Sequence, residues 1–312
     1  MGQFTQIAVI GSGIMGHGIA LVCAKNGVST TLYDVSPEAL GNAEKKLRQS
    51  MLQLVDNGMA APGDLEPVLA RITYSTDMAE AVKGAGIVFE AVPERPALKE
   101  SVYAQLEECC GPETIFASNT SGIPITTLAA MTKRPERFVG THFFMPAHLI
   151  PLVEVIQTEK TREDVIESVM KFLSGAGKLP VRVCKDIPGF IANRLQHALA
   201  REAMSLVQKG IASEEDVDTV VKASLAIRLL FTGPIEQRDF NGLDTHMSIA
   251  EYLYKDLEDA KNPLPILADK VAAGDLGIKT GKGFFDWQGK DIAKVNADKN
   301  QNLINALKLT AP

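Results

Sequence analysis

The sequence predicts an α/β domain with a mostly parallel, doubly wound sheet through residue 186, followed by an all-helical domain over residues 187–312. Three observations lead there. Short β-branched or apolar runs alternate with helix-length segments through the first half, which implies strands joined by crossover helices. The first such strand passes into a helix through a cluster of glycines. After Asp186 the apolar period changes from strand-like to helical and stays helical, with Ile187-Pro188-Gly189 punctuating the change, because the residue before a proline resists helix.

The elements follow in order. Residues 6–10 are a short apolar strand, and a helix follows from about Ile14 to Asn26. Residues 30–34 form the next strand, and Pro37 opens a long helix through about Asn57, proline being suited to a first helical turn. Residues 58–67 read as turn. Strands are expected at 73–75, 86–91, 114–118, 138–143 and 153–156, with helical segments at 77–82, 96–109 and 125–131. Beyond the punctuation, Phe190, Leu195, Leu199, Met204, Leu206 and Val207 recur at helical spacing, and further helices are expected at 214–223, 242–260 and 263–273. No long internal repeat is present.

Composition bounds the function. The chain has 312 residues, 46% of them hydrophobic, and a formal net charge of −6. Two ordinary domains or one large α/β domain suit this length. Nucleic-acid binding calls for a basic face and is disfavoured. Cys23, Cys109, Cys110 and Cys184 match no zinc spacing, so neither a metal site nor a disulfide is expected. The stretch Ile7 to Ala24 is uncharged and nearly long enough to span a bilayer, but it contains Gly11, Gly13, Gly16 and Gly18 and no Lys or Arg precedes it. A strand, a glycine turn and a buried helix account for it better. The expectation is a soluble, cytoplasmic protein without membrane association.

The glycines form G-x-G-x-x-G directly after the first strand. Gly11 permits a tight turn, Gly13 lets a pyrophosphate approach the backbone, and Gly16 lets the helix pack on the strand. Gly11, Gly13, Ile14, Met15 and Gly16 are therefore candidate cofactor-binding residues. Asp34 closes the second strand, where a carboxylate can accept from a ribose diol and repels a 2′-phosphate, which selects NAD over NADP. His17 is assigned no role.

Further segments carry chemistry-bearing residues: Ser118-Asn119-Thr120-Ser121 after a strand, Gly140-Thr-His142-Phe-Phe-Met145-Pro146, Pro151-Leu-Val-Glu154, and Pro188-Gly-Phe-Ile-Ala-Asn193-Arg. Together with Gly233-Pro-Ile-Glu, Gly242-Leu-Asp244 and Lys279-Thr-Gly-Lys-Gly-Phe-Phe285, they resemble the 3-hydroxyacyl-CoA dehydrogenase family in the same order, from Ile7 to about Trp287. The resemblance implies a Rossmann-type first domain and NAD-dependent interconversion of a 3-hydroxyacyl and a 3-ketoacyl thioester. It makes His142 the acid/base, Glu154 its partner, and Ser121 and Asn193 polar groups about the reacting oxygen. It also makes Glu94, Lys99 and Asn119 cofactor contacts. The chemistry is self-consistent. Hydride removal from a carbinol carbon requires the hydroxyl proton to leave, a neutral imidazole can take it, and a carboxylate on the other ring nitrogen fixes the tautomer.

Met145 departs from the pattern, because relatives acting on acyl-CoA usually carry Asn there; Met pads an apolar pocket but replaces none of the amide's hydrogen bonds. The segments 193–199 and 227–234 are similar to a branch of λ-crystallin-like gulonate and carnitine dehydrogenases, which use free hydroxy acids. Arg228 would then be a carboxylate clamp. Three readings follow: a CoA-thioester dehydrogenase, a dehydrogenase of a free 3-hydroxy acid, or a non-catalytic NAD-binding structural protein. The family resemblance also implies a homodimer through the helical domain, with substrate between the domains.

Overall fold

In the computed structural model residues 4–310 are described. The chain forms two compact units that divide after Arg194. The sequence places the change of pattern at 186; the division falls beyond it because backbone N–H groups of Ile191 and Ala192 are bonded to a carboxylate of the sheet.

The first unit carries an eight-stranded sheet in the order β3-β2-β1-β4-β5-β6-β7-β8. The strands are β1 (Gln6–Ile10), β2 (Ser29–Tyr33), β3 (Ile72–Ser75), β4 (Ile87–Glu90), β5 (Ile115–Ser118), β6 (Phe138–Phe143), β7 (Leu152–Ile156) and β8 (Leu179–Val183). All neighbours run parallel except β6 and β7. The helices are α1 (Gly16–Lys25), α2 (Pro37–Asp56), α3 (Leu65–Leu69), α4 (Met78–Val82), α5 (Pro96–Cys109), α6 (Ile125–Ala129) and α7 (Glu163–Gly175). β4, β5 and β6 are buried along their whole length, as strands covered on both faces must be. α1 is buried from Gly16 to Ala24 and apolar there except for His17, which explains the membrane-like composition of that stretch. α2 is amphipathic: Ser36 caps it by accepting from Ala39 N–H, Pro37 opens it, and Leu40, Ala43, Leu47, Met51 and Leu54 form its buried stripe.

Three elements of this unit were not expected. α3 lies inside the turn-rich stretch, while α7 and β8 fill the segment 157–186. β8 (LPVRV) contains Pro180, which a central strand excludes; it is tolerated because β8 is the edge strand.

The second unit is helical. α8 (Ala192–Gln208) leads into it, followed by α9 (Glu214–Val220), a π-helical turn at Val221–Ala226, α10 (Ile227–Leu229), α11 (Glu236–Asn241), α12 (Leu243–Leu253), α13 (Pro265–Ala272) and α14 (Ile292–Thr310). The expected helix over 242–260 stops at Leu253, and α14 was not foreseen. Among the described residues of this unit only Ser205, Leu264 and Ile304 are buried. Among the described residues no helix is long and apolar enough to cross a membrane, and no His, Cys, Asp and Glu cluster could hold a metal ion.

Candidate active site

The sheet reverses its strand order at β1, which has β2 on one side and β4 on the other, and ligands of such sheets lie beyond the carboxyl ends of the strands at this point. The glycine turn sits there. Gly11 has φ +99°, and a Cβ on it would stand 2.8 Å from Ala91 O at the end of β4. A Cβ on Gly16 would stand 1.7 Å from Gly11 O, so the turn and helix close only with glycine. Gly13 is different: no atom lies within 4 Å of the place a Cβ would take, so the backbone is open to a ligand there. Ile14 is exposed beside it, and Met15 immediately precedes α1 without a side-chain cap. Asp34 follows β2. Its Oδ2 accepts from Ser12 N–H (2.9 Å) and Ser12 Oγ (2.8 Å), and its Oδ1 from Ser36 N–H (3.1 Å). A carboxylate has about four lone-pair directions, so acceptor capacity remains for a ribose diol. This open, amide-lined turn with a fixed carboxylate beside it fits NAD.

On the other side of the sheet's midline, β6 and β7 pair antiparallel with His142 directly opposite Glu154. The register brings His142 Nδ1 to 2.8 Å from Glu154 Oε2, with both side chains buried. The second oxygen, Oε1, accepts from Ile191 N–H and Ala192 N–H, 2.9 Å each, at the start of α8. Burial pushes the Glu154 carboxyl up, but the hydrogen bonds from His142, Ala192 and Ile191 outweigh it and hold the group below the ordinary carboxylate range. An ionised Glu154 requires the proton on Nδ1, leaving the Nε2 lone pair to accept one from substrate. The imidazole packs against Phe144 (ring centroids 4.3 Å apart) and Phe190 (5.7 Å). Phe190 is fully buried and has φ +50°, a left-handed conformation costly for a bulky residue. Following Gly189, also left-handed, it turns the chain so that the next two N–H groups reach Glu154. Phe190 is given no site role from the sequence, where it stands only in the Pro188–Arg194 segment that carries the resemblance and at the start of the helical apolar spacing.

The loop after β5 supplies the other expected residues. Asn193 Nδ2 donates to Ser121 O at 2.8 Å, so these two are brought together through the Ser121 carbonyl. Ser121 itself is exposed. Asn119 Oδ1 accepts from Phe143 N–H at 3.0 Å, tying the loop to the residue after His142. Glu94 Oε1 accepts from Thr120 Oγ1 and from the N–H groups of Ser121 (3.0 Å) and Gly122 (3.2 Å). Burial raises the Glu94 carboxyl, and the Thr120 hydroxyl and Lys99 ammonium more than offset this, leaving it below the ordinary range.

Lys99, expected to touch the cofactor, is instead enclosed, with its side chain 1% exposed. Its Nζ bonds both oxygens of Glu90 (2.7 and 3.0 Å) and lies 3.3 Å from Glu94 Oε2. Met145 is 63% exposed. Arg228 belongs to the second unit, on α10, where its Nη2 donates to Ser224 Oγ at 3.1 Å.

Comparison with known proteins identifies the family. Residues 6–187 match the family model described as 3-hydroxyacyl-CoA dehydrogenase, NAD binding domain, and residues 189–287 the one described as 3-hydroxyacyl-CoA dehydrogenase, C-terminal domain. The chain is 37% identical over 299 residues to 5-formyl-3-hydroxy-2-methylpyridine 4-carboxylate 5-dehydrogenase of Mesorhizobium japonicum, covering 96% of each. A solved structure of a 5-dehydrogenase for that pyridine carboxylate, described as an NAD+-dependent dismutase, superposes with a TM-score of 0.93 at 36% identity, covering 99% of both chains. The (S)-3-hydroxybutyryl-CoA dehydrogenase of Ralstonia eutropha gives 0.77 at 35% identity, over 92% of this chain and 100% of that one. With a switch-point glycine turn, a fixed Asp34 and two family models spanning nearly the whole sequence, the chain belongs to the 3-hydroxyacyl-CoA dehydrogenase family of NAD-dependent oxidoreductases.

Proposed function

We propose that the protein interconverts a 3-hydroxyacyl-CoA and its 3-ketoacyl form, with His142 as acid/base. The observation that carries this is the buried His142–Glu154 pair, in which the carboxylate fixes the tautomer that exposes Nε2. Bound NAD supplies the acceptor for the hydride leaving the carbinol carbon. In oxidation, Nε2 takes the hydroxyl proton as the carbonyl forms, and Glu154 stabilises the imidazolium. In reduction the imidazolium returns that proton to the oxygen. Ser121 and the second N–H of Asn193 Nδ2 are the donors to the oxygen while it carries charge. Asn119 and Glu94 hold the loop on which Ser121 sits. Glycine-turn residues Gly11, Gly13, Ile14, Met15 and Gly16 receive the pyrophosphate, and Asp34 the ribose. The test is NADH consumption with acetoacetyl-CoA. Wild type turns over, and His142→Ala lowers kcat by at least ~10²-fold, the lower scale of acid/base contributions.

A second reading keeps this proton chemistry and exchanges the thioester for a small, free carboxylate-bearing substrate. Two points favour it: by the family resemblance Met145 stands where relatives acting on acyl-CoA usually carry Asn, and the Mesorhizobium relative, similar over 96% of the chain, is named for a pyridine carboxylate. Arg228 is the candidate clamp for that carboxylate. Turnover of free 3-hydroxybutyrate, gulonate or carnitine, with every CoA thioester inert, selects this reading over the first.

The proposal extends to a cytoplasmic homodimer. Ile227, Leu229, Leu230, Phe231, Phe240 and Leu243 of the helical unit are all exposed, which a lone chain leaves in water at a cost of about 25 cal/mol per Å². Sedimentation equilibrium distinguishes a dimer from a monomer, and a monomeric mass sinks this part.

A further inference from the structure

The carboxylate of Glu90 has no part in the proton chemistry, yet among the described residues it accepts five hydrogen bonds. It ends β4 and is 1% exposed. Its Oε1 accepts from Val92 N–H (2.9 Å) and Lys99 Nζ (2.7 Å); its Oε2 accepts from Lys99 Nζ (3.0 Å), Tyr103 OH (2.7 Å) and Ser118 Oγ (2.6 Å). Lys99 and Tyr103 reach it together because they lie one turn apart on α5. Ser118 reaches it because β4 and β5 pair with Glu90 beside Ser118.

These bonds lead toward the site along two routes. One runs from Glu90 through Lys99 to Glu94, whose Oε1 holds Thr120, Ser121 N–H and Gly122 N–H. The other runs from Glu90 through Ser118 directly to the start of the same loop, whose Asn119 is bonded to Phe143 N–H. The backbone repeats the connection, with Asn119 N–H donating to Glu90 O at 2.8 Å. A cation placed between two carboxylates is shared by both, so neutralising one leaves the other to draw it over.

We propose that Glu90 is a positioning residue for the reaction. Its buried charge holds Lys99 in place as the bridge to Glu94, and with Ser118 it sets the 118–122 loop that presents Ser121 and Asn119. This rests on the reading that this loop borders the reacting oxygen. With Glu90 neutral, Lys99 shifts toward Glu94 Oε2 and turns the carboxylate whose Oε1 holds the Ser121 and Gly122 amides, while the Ser118 bond to Glu90 weakens, so the loop loosens. Groups that meet charge only in the transition state then lose alignment, which lowers kcat more than it raises KM.

The experiment compares Glu90→Gln with Tyr103→Phe, which removes one hydrogen bond from the same carboxylate but touches neither route. Two quantities are read: steady-state constants with NADH and acetoacetyl-CoA, and amide exchange across residues 118–124. Both variants lower Tm. Glu90→Gln alone lowers kcat at least ~10-fold, with the NADH KM within ~3-fold of wild type. It alone accelerates exchange of the loop by ~10-fold or more. Equal loop exchange and equal kcat in the two variants overturn the proposal. Should Glu90→Gln not fold, Ser118→Ala decides: it leaves the Lys99 pair intact, and unchanged loop exchange overturns the proposal equally. A wild type inert toward acetoacetyl-CoA sinks the CoA reading, while the exchange comparison still decides the role of Glu90.

Discussion

Replacing Glu154 by Gln asks how much of the rate depends on the tautomer of His142. The side chain keeps its shape, and its carbonyl oxygen can still accept from Ile191 and Ala192 N–H, now bonded at 2.9 Å each. Its NH2 must then face His142 Nδ1 across the present 2.8 Å contact, donor against donor. The ring resolves the conflict by moving its proton to Nε2, so that Nδ1 accepts. Nε2 then has no lone pair for the substrate hydroxyl. The opposite amide orientation sets the NH2 against two backbone donors instead of one, so it offers no escape. Loss of the correct tautomer in a comparable histidine–carboxylate pair costs ~10⁴ in kcat. Allowing for residual catalysis by bound NAD and the oxygen donors, the expected loss is ~10³–10⁴-fold, or about 4–5.5 kcal/mol of barrier. The assay is steady-state NAD+ reduction with saturating 3-hydroxybutyryl-CoA, the direction in which Nε2 must accept the hydroxyl proton, KM being followed separately. Stability supplies a second readout. The Glu154 carboxyl lies below its ordinary value of 4.5 in the folded state, so it stabilises the fold above that value and the benefit is lost as pH falls through the folded pKa. The gap in stability between wild type and variant therefore closes in acid. A variant that keeps kcat within ~10-fold, with only KM raised, refutes the tautomer account.

Glycine substitutions separate fold from binding. Gly16→Ala places a Cβ 1.7 Å from Gly11 O and destabilises by ~3 kcal/mol or more, read as urea midpoint. Gly13→Ala meets nothing within 4 Å, so its midpoint stays at wild type while NADH affinity falls ~10-fold by fluorescence titration. Asp34→Ala removes the acceptor beside Ser12 and weakens NADH by ~10–100-fold, from about 1.5–3 kcal/mol per charge-assisted bond, while narrowing the NADH-over-NADPH preference measured in parallel assays. Met145→Asn restores the amide of acyl-CoA enzymes at an exposed position, and raises kcat/KM for acetoacetyl-CoA if a thioester is the substrate; no change with any CoA compound supports the free-acid reading.

Much of this was legible in one dimension because it depends on local rules. Strand and helix periods, Ser36 and Pro37 opening α2, and the glycine turn after β1 all express constraints between near neighbours. The change to a helical pattern beyond Asp186 is of the same kind. What escaped had competing local signals. Pro180 hid β8, since nothing local says that this strand sits at an edge. The short α3 lay in a stretch rich in turn formers. The family resemblance assigns Lys99 to the cofactor; only the sheet register, bringing Glu90 and Ser118 side by side beneath α5, shows that its side chain is enclosed.

Residue types and their order alone determined the class of protein: a dinucleotide turn, an acid to select NAD, and a histidine with acidic and polar companions. The tertiary structure decided which of those companions meet. His142 and Glu154 face each other because β7 runs against β6, in a register where a slip of one residue would turn the carboxylate to the opposite face of the sheet. Phe190 and Gly189, left-handed in succession, then bring two amides onto that carboxylate. Such contacts join segments distant along the chain, and hydrogen bonds form only between groups that the fold has already brought within about 3 Å.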